Sequence, residues 1–188
     1  MRAFFAIALP EPQRRALGEL RDALRTEGIR AAWVRDENFH VTLRFLGDCD
    51  TARLEAMATQ VRGALAEQRV FALHLAGTGA FPNPRKAAVL WAGLTDASHA
   101  ELVAVQAATE AAARSAGLAA EPKAFHGHVT LGRIRQPSKD DRLARVLADH
   151  ADFDGGEFAV TTISLLRSEL TSGGAVYSSL DEIPLLVP

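Results

Sequence analysis

Two histidines stand two residues apart in FHGHVTLGRI, residues 125–134, at the head of a stretch that reads as a β-strand. The spacing of His126 and His128 suits a metal half-site, an acid–base group beside a bystander, or no chemistry at all. What separates them lies elsewhere in the chain. His-Val-Thr-Leu occupies 128–131 and also 40–43, with a phenylalanine shortly before each copy, at Phe39 and Phe125. The copies are 88 positions apart, close to half the chain, which is the mark of two similar lobes facing each other and not of a repeat array.

Strand geometry gives the repeat a chemical meaning. Alternation points His40 and Thr42 one way and Val41 and Leu43 the other, and it does the same for His128 and Thr130 against Val129 and Leu131. The apolar residues anchor each strand while an imidazole and a hydroxyl face a cleft. If the two strands lie side by side, two imidazoles and two hydroxyls converge on a volume suited to a tetrahedral anion.

Imidazole has an unperturbed pKa of about 6.5, so one ring can be neutral while its twin is charged. The neutral ring takes a proton from attacking water and the charged one gives a proton to a departing oxygen. Each transfer is worth roughly 10²–10⁴-fold in rate. Threonine hydroxyls donate to the non-bridging oxygens and hold the phosphate in line. This arrangement needs no metal, and no carboxylate cluster stands ready to hold one. His128 matches the first copy; His126 shares its face if the strand extends that far, at the mouth of the cleft or toward solvent.

The elements that must position these groups follow from hydrophobic spacing. Residues 2–9 read as a buried strand. Pro10 suits a helix start, and Leu17, Leu20 and Leu24 recur on one helical face up to Gly28. FHVTLRFLG is strand-like, and residues 51–67 form an amphipathic helix burying Leu54, Met57, Val61 and Leu65. Strands follow at 70–81 and 87–94, separated by the proline-broken loop FPNPRK. An Ala-rich helix capped by Asp96 or Ser98 runs to about Gly117. After the second motif come a short helix near 138–149, a strand at 157–166 and a last strand at 174–180. The mixed order reads as α+β with antiparallel pairing.

Bulk properties narrow the function classes. Of the 188 residues, 48% are apolar and 23% charged, with a net charge of −2, so no general basic field draws the chain to nucleic acid or anionic lipid. Any RNA is gripped at a local feature. Cys49 is the only cysteine, which excludes an internal disulfide and a multi-Cys zinc cage and fits a reducing cytosol. The apolar start breaks at Pro10, too short for a membrane span or signal peptide. Three of the 21 basic residues are lysine (Lys86, Lys123, Lys139).

The two motifs, with FHVTLRFLG around the first and HVTLGRI around the second, resemble the paired His-x-Thr-x motifs of the two-histidine (2H) phosphoesterases. The closer likeness is to the RNA 2′,3′-cyclic phosphodiesterase branch, also called 2′-5′ RNA ligase-like. MRAFFAIALP looks like that family's opening strand, FPNPRKAAVLWAGL like its mid-chain loop and strand, and SGGAVYSSLDEIPL like its closing strand. The resemblance implies one domain, residues 1–188, of two similar lobes. The fold would be bilobal and pseudo-twofold, with two mainly antiparallel sheets flanked by helices around a central cleft.

It also implies metal-independent opening of an RNA terminal 2′,3′-cyclic phosphate to a 2′-phosphomonoester, without a cofactor. His128 would be the general base, His40 the general acid, and Thr42 and Thr130 phosphate ligands. Arg133 occupies the place of the family's second-motif arginine, but strict alternation puts it opposite His128, so a strand end or a bulge at Gly132 must bring it round. The residue before the second histidine is commonly proline in the family and here is Gly127.

Reversible 2′-5′ joining of RNA ends uses the same acid–base pair. Other readings are a two-histidine phosphodiesterase acting on 2′-5′ oligonucleotides or a small cyclic phosphate of ADP-ribose type, and a non-catalytic RNA-end binder. The partners expected are RNA ends or small nucleotides, with no membrane; the chain is expected to be monomeric and cytoplasmic. Arg44 reads as a surface ion-pair residue that shares the face of His40. Trp33, Phe45 and Trp91 read as core, and His74, His99 and His150 as exposed or locally hydrogen-bonded.

Overall fold

The computed structural model describes residues 1–95, 99–135 and 141–187, and everything below concerns those residues. Strand β1 (Arg2–Ala8) has five consecutive buried residues between exposed ends, as expected of a strand covered on both faces. Helix α1 (Glu11–Thr26) starts directly after extended Pro10 and buries Leu17, Leu20 and Leu24. It stops before Gly28, whose φ of 82° lies in the left-handed region that glycine enters at no steric cost.

A two-residue strand β2 (Ala32–Trp33) leads into β3 (His40–Asp48). Helix α2 (Thr51–Ala64) is capped by Asp50, whose carboxylate accepts from the Arg53 backbone N–H at 2.8 Å. Strands β4 (Phe71–Phe81) and β5 (Val89–Leu94) form a hairpin across the FPNPRK loop, where Asn83 Oδ1 accepts from the N–H groups of Arg85 and Lys86, each at 3.1 Å. Helix α3 (His99–Ser115), β6 (His128–Arg133), α4 (Arg142–Asp149), β7 (Asp154–Val160), β8 (Thr162–Thr171) and β9 (Gly174–Pro184) complete the order. The caps expected at Asp96 and Ser98 and the side chain of His99 lie outside the described residues.

The α+β class is as expected. All the strand pairs are antiparallel, in the order β7-β4-β5-β6-β3-β1-β8-β9, with β2 on β6. The two sheets anticipated from sequence are the halves β6-β5-β4-β7 and β3-β1-β8-β9, and they join edge to edge into one curled sheet through the pair Val41↔Val129. Beyond that pair the strands part: β6 continues beside β2, with Ala32 opposite Arg133 and Trp33 opposite Gly132. Helices α2 and α3 pack on the β3 side and α1 and α4 on the β6 side.

One expectation needs correcting. The strand expected at 157–166 is two strands, broken at Thr161. β7 pairs with β4 in one half, whereas β8 pairs with β1 and β9 in the other, so the chain crosses between halves at this residue. A run of β-formers with no Gly or Pro conceals that crossing.

Candidate active site

The register of the central pair arranges the motifs. With Val41 opposite Val129 in antiparallel strands, His40 stands across from Thr130 and Thr42 across from His128. Val41, Leu43, Val129 and Leu131 are buried on the opposite face. The four polar side chains line one cavity of ≈ 520 Å³, with Arg133, Arg2, Asn38 and Tyr177 also in its wall. Each half therefore contributes one imidazole and one hydroxyl, and each imidazole neighbours the other half's threonine.

Both rings are oriented in the same way. His40 Nδ1 lies 2.8 Å from the carbonyl oxygen of Asn38, and His128 Nδ1 lies 2.7 Å from that of His126. A carbonyl only accepts, so Nδ1 carries the proton and donates in each case, and Nε2 is the nitrogen left for chemistry. Aromatic rings set the tilt. Phe4 lies 4.9 Å from the His40 ring and Tyr177 meets it edge-on at 5.3 Å. Phe81 meets His128 edge-on at 5.0 Å.

Burial depresses the pKa of both histidines below the ordinary 6.5, because a cation is costly where water is scarce. The backbone acceptors Asn38 and His126 oppose the shift by stabilising the charged rings. Positive charge adds to it: His128 and Arg133 act on His40, and His126 and Arg133 act on His128. The Tyr177 phenol is raised by burial, with the charges of Arg133 and Arg2 pulling the other way. An anion between the rings would oppose these shifts, because it favours the charged imidazole.

Arg133 reaches this cavity through a bulge. Trp91 is opposite Thr130 and Leu90 opposite Gly132, so Leu131 is an extra residue on β6 and the following side chains are turned over. The first copy has the same feature. Ala6 is opposite Thr42 and Phe5 opposite Arg44, which makes Leu43 the extra residue on β3. Each motif is thus bulged at its leucine, and the residue two positions later, Phe45 or Arg133, lines the cavity.

The bulge at Leu43 also changes two side chains from their sequence expectation. Phe45 is not core: it is 52% exposed. Arg44 leaves the face of His40 and is a buried, not a surface, ion-pair residue. Its Nε stands 2.6 Å from Glu110 Oε2, off the hydrogen-bond axis, and its Nη1 donates to Glu121 Oε2 at 3.2 Å.

His74 pairs with Asp154 at 2.7 Å and His150 with Glu27 at 2.6 Å, both local contacts away from the cavity. The His126 ring is stacked 6.3 Å from that of His128, between Phe81 and Trp91. Among the described residues no cluster of three His, Cys, Asp or Glu side chains accompanies it. Also among those residues, no helix is long and apolar enough to cross a membrane.

Sequence reading missed Asn38 as a supporting residue. Its carbonyl orients His40 while its Nδ2 donates to Ala175 O at 2.8 Å, which ties the approach to β3 onto the hairpin that carries Tyr177. Nothing in the sequence signals it, because the acceptor is a backbone carbonyl that any residue type supplies.

Comparison with known proteins places this geometry among relatives. The profile of the family described as LigT like Phosphoesterase matches residues 7–91 and again 93–177, once for each copy of the motif. A protein of Aeropyrum pernix named RNA 2′,3′-cyclic phosphodiesterase is 36% identical over 169 residues, covering 89% of this chain and 93% of the relative. One of the same name from Methanothermobacter thermautotrophicus is 30% identical and covers 96% of this chain and 97% of the relative. A crystal structure of a Thermus thermophilus protein superposes with a TM-score of 0.81 at 26% identity, covering 98% of both chains. Escherichia coli LigT complexed with 3′-AMP gives 0.75 at 25% identity, covering 98% of this chain and 97% of that one.

Proposed function

The chain belongs to the LigT-like phosphoesterase family, and from that premise we propose that it opens 2′,3′-cyclic phosphates at RNA ends to 2′-phosphomonoesters, with His40 and His128 as acid and base. The relatives named RNA 2′,3′-cyclic phosphodiesterase support this substrate class. The observation that carries the reading is the matched pair of imidazoles: each has Nδ1 held by the carbonyl two residues earlier, and both line the same cavity.

In this mechanism His128 Nε2 takes a proton from water as its oxygen attacks phosphorus. The P–O3′ bond breaks on the opposite side, O3′ receives the proton from His40 Nε2, and the phosphate stays on O2′. Thr42, Thr130 and Arg133 hold the non-bridging oxygens. The bound phosphate's negative charge offsets the burial that depresses His40 and keeps it protonated as the acid. The same pair run in reverse, with a 5′-hydroxyl in place of water, joins RNA ends through a 2′-5′ link. The working unit is a single two-lobed domain, monomeric and cytoplasmic, that uses no metal or other cofactor.

The test is incubation with a 2′,3′-cyclic mononucleotide and excess chelator, followed by chromatographic separation of 2′- and 3′-phosphate products. A 2′-phosphate is expected. A folded protein that yields none is not this enzyme; if it still binds RNA ends, it is a binding protein. Turnover of 2′-5′ oligonucleotides or of an ADP-ribose cyclic phosphate in its place would identify one of the other phosphodiesterase substrates.

A further inference from the structure

The space around the phosphate position has a second compartment. A cavity of ≈ 640 Å³ shares Thr42, Phe45 and His128 with the cleft described above. His40 borders the cleft but not this cavity. Beyond the shared residues its walls include Phe81, Phe125, Gln106 and Lys123. The volume falls within the range of about 300–1,000 Å³ usual for small-molecule sites.

We infer that this cavity seats the nucleoside of an incoming 5′-hydroxyl, so that the alcohol reaches phosphorus from the His128 side. The inference rests on the proposed roles of the two histidines. In-line displacement sets the entering and leaving oxygens on opposite sides of phosphorus. With the leaving O3′ beside His40, the nucleophile enters beside His128, the histidine that borders the additional cavity. Water needs no compartment of this size there; a nucleoside does.

The lining suits that occupant. Phe45 is 52% exposed, and with Phe81 and Phe125 it offers aromatic faces to a nucleobase. Gln106 carries both a donor and an acceptor for a base edge. Lys123 is an exposed cation suited to the acceptor strand's own first internucleotide phosphate. Glu121, the carboxylate in the same wall, is paired with Arg44 at 3.2 Å.

The step balances without a further reactant. The 5′-oxygen forms a bond to phosphorus and its proton passes to His128 Nε2. The P–O3′ bond breaks and O3′ takes the proton from His40 Nε2. The product is a 2′-5′ phosphodiester with a free 3′-hydroxyl, and proton exchange with solvent resets both rings.

The experiment uses the full chain with an RNA bearing a 2′,3′-cyclic phosphate and an unphosphorylated dinucleoside monophosphate as acceptor. Joined and hydrolysed products are measured in one reaction, so loss of folded enzyme cancels in their ratio. The rate of joining is expected to rise and then saturate with acceptor, and the ratio of joined to hydrolysed product to fall at least about tenfold in Gln106→Trp, which fills the cavity, and in Lys123→Ala. A joining rate that grows linearly without saturation, a ratio that is the same in the variants, or a ratio that stays at zero while hydrolysis proceeds overturns the inference. So do variants that slow hydrolysis with the ratio intact, because the RNA's own penultimate nucleotide would then occupy the cavity. Absence of hydrolysis as well as joining refutes the proposed function itself.

Discussion

Val41 stands opposite Val129 where β3 meets β6, and both are the second residue of His-Val-Thr-Leu. Two copies of one motif paired antiparallel at the same position are related by a local twofold axis through that pair. From this relationship come the cross-placement of each histidine with the other half's threonine, the matched ring orientations, and the matched bulges at Leu43 and Leu131.

Replacing either histidine by alanine should lower kcat about 10²–10⁴-fold. The double variant should lose little more than the worse single one, because acid and base act on one displacement. Single-turnover rates for the four proteins check this. Two independent, multiplicative losses would mean that the rings do not serve one step.

The pH dependence follows from the depressed histidines. In the free protein both rings lie below 6.5, so the kcat/KM profile should peak on the acid side of that value. In the complex the phosphate charge restores proton affinity, so the kcat profile should lie at higher pH. Coincident kcat and kcat/KM profiles would contradict this.

Stability carries the opposite demand. The unfolded histidines bind protons at higher pH than the folded ones, so stability is complete above 6.5 and is lost as pH falls from that value through the folded pKa values. Urea midpoints at pH 7.5 and pH 5.5 should show a larger acid loss in the wild type than in a His40→Ala, His128→Ala double variant. Phosphate should restore part of that loss in the wild type alone.

Arg133 depresses both imidazoles through its charge and lines the same cavity. Arg133→Ala should raise KM and move the kcat/KM optimum toward higher pH, while Arg133→Lys should recover the optimum more fully than the KM, since lysine keeps the charge but not the planar fork. A raised KM with no movement of the optimum would place the guanidinium away from the rings.

Gly127, where the family resemblance led us to expect a proline, has a packing reason. A Cβ there would lie 2.8 Å from Leu102 Cδ2 and 3.2 Å from Leu94 Cδ1, and Leu102 is buried. Gly127→Ala should cost about 1–3 kcal/mol, and Gly127→Pro at least as much. Combining either with Leu102→Ala should recover stability relative to the sum of the single losses, as read by denaturant midpoints.

The shared face of each motif's histidine and threonine was legible from two-residue alternation, whereas the pairing of the two copies was only a condition until the register Val41↔Val129 supplied it. The helices were legible from their leucine spacing. Leu43 and Leu131 gave no sign of the extra residue each inserts, since Leu-Arg and Leu-Gly are ordinary strand pairs; hence Phe45 was expected in the core, and the bulge that Arg133 needs was expected at Gly132 and lies at Leu131. The crossing at Thr161 was hidden for a similar reason. Propensity registers that residues are extended, not which neighbour they pair with.

That crossing bears on how the molecule assembles as it is made. Strands β4 to β7 come from one uninterrupted segment, but β1 obtains its outer neighbour, β8, only when residues 162–184 arrive. A nascent chain stopped before Thr162 would leave one side of β1, made of buried aromatic and aliphatic residues, without a partner strand. Such a bare edge invites pairing with another chain. Translational pausing just before the closing hairpin should therefore be the most aggregation-sensitive moment in this protein's synthesis.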